Sequence, residues 1–289
     1  MSFYIAIKLF YIFLSISIYR KLSGPKVKRR PHDIFNSNHK VFVECHRGVN
    51  REIDENTLNS FQKAIDYNIG SIEIDVFLTK DNEMVIHHGD GPFGSIDQLF
   101  DHVGDVTNLS WKELSSYRTK RSNLKMPTLR ETFKLAKNKL FINLEFKDPR
   151  IDLTFSSVMK LIEEYDFFDQ ISLSSFYHEY YDRVIEYNKK NNRNLVFGFL
   201  YQKYGDFNFN RNGSSLNVYW TDATKELCDT AHKNGMPVLV WFEMFEEENN
   251  KIYRQLIENG VDIICSNEPL LAKKYIKYYY FNNKNKRYK

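Results

Sequence analysis

The chain has 289 residues, enough for one large domain, and its 42% hydrophobic content suffices to build a core. A formal net charge of +4 is too small to argue for a nucleic-acid partner. Three cysteines, Cys45, Cys228 and Cys265, have no metal-ligand spacing and an odd count, which suits free thiols in a reducing compartment.

Residues 1–20 hold an apolar run from Ser2 to Tyr19 broken only by Lys8, close to the length that spans a bilayer. A cleaved signal peptide is the competing reading, but the start is almost uncharged and no small-x-small site follows. Residues 21–40 form a basic linker with Pro25 and Pro31. By the positive-inside rule, Arg20, Lys21, Lys26, Lys28, Arg29 and Arg30 would stay cytosolic. The expectation is a single-pass protein of an endomembrane with its catalytic domain on the cytosolic side.

From Val41 the pattern changes to short apolar strands alternating with amphipathic helices, the mark of a parallel-stranded α/β domain. Val41 to Cys45 is a strand ending at His46-Arg47-Gly48, and a helix follows from about Leu58 to Tyr67. Ser71 to Phe77, SIEIDVF, alternates faces, so Glu73 and Asp75 share one side and Ile72, Ile74 and Val76 the other. Thr79 to Asn82 is too short for a crossover helix, and the next strand, Glu83 to Ile86, ends at His87-His88-Gly89. An insertion over about 89–125 carries helical candidates at Ile96 to His102 and Trp111 to Tyr117. Leu129 to Lys137 is then a helix, and Phe141 to Lys147, FINLEFK, places Asn143, Glu145 and Lys147 on one face.

The later pattern predicts helices at Ile151 to Tyr165, Tyr177 to Asn188, Ala223 to Asn234 and Glu246 to Asn259. Strands are predicted at Ile171 to Ser174, Leu195 to Leu200, Val238 to Phe242 and Asp262 to Cys265. Residues 274–289 read as a basic aromatic tail.

Two carboxylates side by side on a strand repel each other, and burying them unpaired is costly, so Glu73 and Asp75 make sense around a bound cation. Taken alone, a Glu-x-Asp strand is more often a solvated face, and a lone histidine more often structural. Recurrence of the pattern at Glu145, with Lys147 one step on, favours a third ligand beside a phosphate-facing cation. Three carboxylates without Cys/His ligand spacing select a hard divalent cation, Mg²⁺ or Ca²⁺, over zinc. Imidazoles at the neighbouring strand ends could serve as general acid and base.

These residues resemble the glycerophosphodiester phosphodiesterases. The resemblance rests on His46-Arg47-Gly48, Glu55-Asn56-Thr57, Glu73-Ile74-Asp75-Val76, Thr79-Lys80-Asp81 and Val85-Ile86-His87. It continues through Met126-Pro127-Thr128-Leu129, Asn143-Leu144-Glu145-Phe146-Lys147, Ser174-Ser175-Phe176, Gly235-Met236-Pro237-Val238 and Gly260-Val261-Asp262, covering 41–273 in order. It implies a (β/α)8 TIM barrel with a small insertion after the third strand. It further implies metal ligands Glu73, Asp75 and Glu145, an acid/base pair His46 and His87, phosphate contacts Arg47 and Lys147, and a supporting Glu55.

The chain departs from the family at His88, where Asp is usual, which leaves His88 as an alternative to His87. It departs also at Trp241-Phe242 and Ser266-Asn267, where Trp-Thr and Thr-Asp are usual. These positions bear on the substrate pocket, with Trp241 in it, more than on the cation.

The function implied is metal-dependent hydrolysis of a glycerophosphodiester to an alcohol and glycerol 3-phosphate, or the same reaction on a lysophospholipid, a lysophospholipase D activity. A phospholipase C-like enzyme acting on phosphatidylinositol, a sphingomyelinase D-like enzyme, and a catalytically silent membrane-tethered binding protein are the rivals. Retention of all three carboxylates and both histidines argues against the silent protein.

Overall fold

The computed structural model describes residues 41–211 and 214–286. Eight parallel strands close a barrel: β1 (Phe42–Cys45), β2 (Ser71–Leu78), β4 (Phe141–Phe146), β5 (Ile171–Ser175), β6 (Phe197–Leu200), β7 (Ser215–Tyr219), β8 (Val238–Trp241) and β9 (Ile263–Ser266). Closure comes from β1, which pairs with β9 on one side and, at Cys45 and Ile72, with β2 on the other. The third strand of the chain, β3 (Met84–Ile86), runs antiparallel to the last three residues of β2. Thr79 to Asn82 is therefore a hairpin turn and not a crossover, which explains why no helix fits there.

Helices surround the barrel: α1 (Leu58–Asp66), α3 (Leu129–Ala136), α4 (Ile151–Glu164), α5 (Tyr180–Asn191), α6 (Lys225–Lys233), α7 (Asn250–Asn259) and α8 (Pro269–Lys286); a short α2 (Trp111–Leu114) lies in the insertion. Their starts are written locally. Thr57 caps α1 and Thr128 caps α3, each through a reciprocal capping box that satisfies two otherwise orphaned backbone groups. Gly260, at φ 96°, closes α7 in the left-handed conformation that a side chain would oppose.

The apolar strand residues point outward into the layer between barrel and helices, where Ile72, Ile74, Val76, Ile142, Leu144 and Phe146 are fully buried. Each such side chain stabilises the fold by about 1.5–3 kcal/mol. Inside the barrel, an apolar floor of Phe42, Phe141, Leu239 and Ile263 gives way to polar layers above. Glu44 there accepts from Ser71 Oγ at 2.8 Å and from Asn143 Nδ2 at 3.0 Å. Stability thus comes from the outer layer, which leaves the interior free to carry charge.

Several expectations change. Ile96 to His102 is not a helix: Ser95 and Phe100 make isolated bridges, and Gly94 and Gly104 flank them with positive φ. A strand at β7 was not expected, and residues 275–286 are no loose tail but the continuation of α8, with Ile276 buried. The single-pass membrane localisation is corrected as well. Among the described residues no helix is long and apolar enough to cross a membrane. The longest, α8, carries Lys273, Lys274 and Lys277. The apolar run from Ser2 to Tyr19 and the basic linker lie outside the described residues.

Candidate active site

The site lies at the C-terminal ends of the barrel strands, where parallel barrels place their chemistry. Directly after β1 the chain turns sharply, with Arg47 at φ 55° and Gly48 at φ 81°. A Cβ on Gly48 would come within 2.4 Å of Ser60 Oγ in α1, so both backbone conformation and space demand glycine there. The turn aims the Arg47 N–H at Glu73 Oε2, 3.0 Å away, and its guanidinium at Glu55 Oε1, 2.9 Å from Nη1. Asn56, also left-handed at φ 52°, donates Nδ2 to Asp75 Oδ2 at 2.8 Å.

Glu73, Asp75 and Glu145 each offer a carboxylate oxygen, and these lie within 4.8 Å of one another. All three residues are buried, and each keeps one buried oxygen without a hydrogen bond: Glu73 Oε1, Asp75 Oδ1 and Glu145 Oε1. Lys147 Nζ stands 3.2 Å from Glu145 Oε1 and 4.0 Å from Asp75 Oδ1, close enough for ion pairing but outside hydrogen-bond geometry at Glu145. Burial, then repulsion from Asp75 and Glu145, holds Glu73 well above the usual carboxylate range. Burial likewise lifts Glu145 to about 7, although Lys147 opposes it.

Each carboxylate pair at this spacing repels by roughly 3 kcal/mol at an effective dielectric of about 20. Counting Glu55, four carboxylates face two cations, Arg47 and Lys147. Three converging hard oxygen donors without hydrogen bonds fit a divalent cation such as Mg²⁺ or Ca²⁺ and leave no sulfur or nitrogen ligand for a softer one.

Both imidazoles are held by one nitrogen. His46 Nδ1 lies 2.9 Å from Asn267 Oδ1, and His87 Nε2 lies 2.8 Å from the Ser95 carbonyl oxygen, an acceptor only. His87 therefore donates from Nε2 and carries its lone pair on Nδ1, which is buried and without a partner. Burial keeps His46 neutral, down to about 3, with Arg47 adding to the effect. His87 is lowered by burial too. His88 lines the same cavity, and burial together with Arg47 and Lys147 pushes it well below its ordinary value.

The cavity above holds about 1010 Å³. One wall is aromatic: Trp241 packs edge-on against Phe176 at 5.9 Å and Tyr219 at 5.2 Å. Trp241 Nε1 is a buried donor without an acceptor. Phe245, 93% exposed, and Met244 stand at the rim. All nine expected site residues therefore converge here. Glu44, Asn50, Asn56 and Glu248 are additions, while Asn267, read in the sequence only as a departure bearing on the pocket, contacts His46. Strand alternation through Phe42, Glu44 and His46 could have found the first. The others arrive by folding alone.

A parallel barrel with carboxylates, cations and paired imidazoles at its C-terminal mouth is the architecture of a phosphodiester-cleaving enzyme. Residues 46–271 match the glycerophosphoryl diester phosphodiesterase family, and the chain belongs to it; it is a phosphoric diester hydrolase. Among its relatives, a glycerophosphodiester phosphodiesterase from Caldanaerobacter subterraneus subsp. tengcongensis is 29% identical over 246 residues, covering 80% of this chain and 95% of that protein. A phosphodiesterase from Oleispira antarctica, solved in complex with the product sn-glycerol-3-phosphate, shares the fold with a TM-score of 0.72 at 20% identity, covering 82% of this chain and 97% of that one. A glycerophosphodiester phosphodiesterase from Thermotoga maritima superposes with a TM-score of 0.62 at 22% identity, over 83% and 99% of the respective chains.

Proposed function

We propose that the protein hydrolyses glycerophosphodiesters to an alcohol and glycerol 3-phosphate, with a divalent cation held by Glu73, Asp75 and Glu145. The observation that carries this reading is the trio of buried carboxylate oxygens without hydrogen bonds, beside two imidazoles that each face an acceptor through one nitrogen. When bound, the cation polarises a phosphoryl oxygen and lowers the pKa of a coordinated hydroxyl or water.

The chain's own groups do the rest. Arg47 and Lys147 offset charge on the phosphoryl oxygens, and Glu55 keeps the Arg47 guanidinium in place. His46 takes the proton of the attacking oxygen at Nε2. His87, protonated at Nδ1, gives that proton to the departing alcohol as the phosphorus–oxygen bond breaks, and ends in the neutral state seen here. Trp241 donates its free Nε1–H to a substrate oxygen. His87 is favoured over His88 because the Ser95 carbonyl orients its ring. The Oleispira antarctica enzyme's complex with sn-glycerol-3-phosphate supports the product assignment.

A second substrate, lysophospholipid, is favoured by one feature: the aromatic wall continues to the exposed Phe245 and Met244 at the rim, an apolar track a small water-soluble diester would not need. The test is alcohol release from glycerophosphocholine and lysophosphatidylcholine with Mg²⁺, Ca²⁺ or EDTA, with His46→Ala and Glu73→Ala as controls. Turnover that needs a cation and disappears in both variants is expected. EDTA-resistant turnover, or full activity in Glu73→Ala, would overturn the cation assignment.

A further inference from the structure

The geometry points to Asn267 as a positioning residue that sets the tautomer of His46, so that the nitrogen facing the cavity always carries the lone pair. This rests on His46 acting as the base, as proposed above.

The argument is one of donors and acceptors. Asn267 Nδ2 lies 2.9 Å from the Glu243 carbonyl oxygen, which can only accept, so that end of the amide is the NH₂. The other end, Oδ1, receives Asn50 Nδ2 at 2.8 Å and faces His46 Nδ1 at 2.9 Å. Asn50 cannot be turned the other way, because the same Nδ2 lies 2.7 Å from the His46 carbonyl oxygen. With both amides fixed, His46 Nδ1 faces only an acceptor and must carry the hydrogen. Nε2 is left bare. A flipped Asn267 would present NH₂ to the ring, move the proton to Nε2 and remove the base.

The anchor lies one residue row further in. Glu248, a buried carboxylate the proposed chemistry does not use, accepts the Asn267 backbone N–H at 2.6 Å and the Tyr253 hydroxyl at 2.8 Å, and binds the Ser266 hydroxyl as well. His46 N in turn donates to the Ser266 carbonyl oxygen at 3.1 Å, so the backbones bearing the base and its orienting amide are tied together. A buried carboxylate fixes the backbone, the backbone aims an amide, and the amide chooses the proton position.

The test uses the whole chain with ¹⁵N-labelled histidine. Native His46 should show an Nδ1–H, Nε2-bare pattern in its nitrogen shifts. Asn267→Leu, similar in size but without an acceptor, should lose that single pattern. Its kcat should fall on the order of 100-fold, the lower part of what general acid–base catalysis contributes, with KM nearly unchanged. Asn267→Asp restores an acceptor and should recover both the pattern and most of kcat. Should Asn267→Leu not fold, Asn267→Ala serves in its place, since it removes the same acceptor with a smaller side chain.

An unaltered His46 pattern with native kcat in the folded variant would overturn the inference. A His46→Gln enzyme with undiminished kcat would instead overturn the base assignment, and the nitrogen shifts would still report whether Asn267 sets the tautomer.

Discussion

At the scale of single residues, Glu73 shows what the site asks of the fold. Its Oε2 is occupied by the Arg47 N–H, its Oε1 has no partner, and burial beside Asp75 and Glu145 opposes its ionisation. A glutamine would keep the shape and shed the charge. Glu73→Gln should therefore leave the metal-free protein folded and more stable by about 1 kcal/mol or more, since the native carboxyl must take up a proton on folding that a glutamine does not need. Its affinity for Mg²⁺ or Ca²⁺ should fall by at least about 100-fold, because a lost ligand costs no less than a lost outer partner. Calorimetric titration checks the second figure and denaturant unfolding the first; unchanged affinity would remove Glu73 from the ligand set.

At the scale of elements, the turn after β1 does the positioning. Gly48→Ala forces a side chain into the left-handed region and against Ser60 in α1. A loss of about 2–3 kcal/mol in stability is expected by urea unfolding, with kcat reduced as His46 and Arg47 shift. A variant of native stability would mean that α1 can retreat.

Elements also show what could be read from the chain. Strands β2 and β4 were legible because their faces differ so sharply, isoleucine and valine outward and carboxylates inward. Strand β7, SLNVY, was not: its inward face is Ser215, Asn217 and Tyr219, and no helix separates it from β6. The apolar spacing of Ile96 to His102 imitates a helix, but those side chains instead fill the insertion's own small core with Phe77, Val85 and Val106. Tail-like residues after Tyr275 joined α8 because Tyr280 reaches back to the Val41 N–H, a contact across 239 residues. The His46–Asn267 bond, across 221 residues, was illegible for the same reason. Local pattern carries alternation and caps, whereas pairing between strand ends is settled by closure of the barrel.

For the whole molecule, the acidic cluster couples stability to pH and to the cation. Glu145, raised from its ordinary 4.5 to about 7, binds a proton in the folded state through a range where the unfolded chain has lost it. Its contribution to unfolding free energy therefore falls as pH rises from about 4.5 to about 7. The buried imidazoles His46, His87 and His88, lowered by burial, act in the opposite sense below their ordinary 6.5, so the total curve does not isolate it. A difference does. In the presence of EDTA, the stability gained by Glu145→Gln over the native protein should grow between pH 5 and pH 8, and added Mg²⁺ or Ca²⁺ should shrink it by stabilising only the native chain. Thermal melts at three pH values test this; a gain that is flat or falls with pH would sink it.

The insertion brings a consequence for anyone who would rebuild this enzyme. It packs its own core, and such a segment invites transplantation as a ready-made cap. Yet the carbonyl that orients the His87 ring belongs to Ser95, inside it, and Phe100 sits edge-on to the same ring at 5.7 Å. With His87 as the proposed acid, proton transfer depends on this same piece of chain. Exchanging the cap for another would then retune the acid along with the pocket it lines.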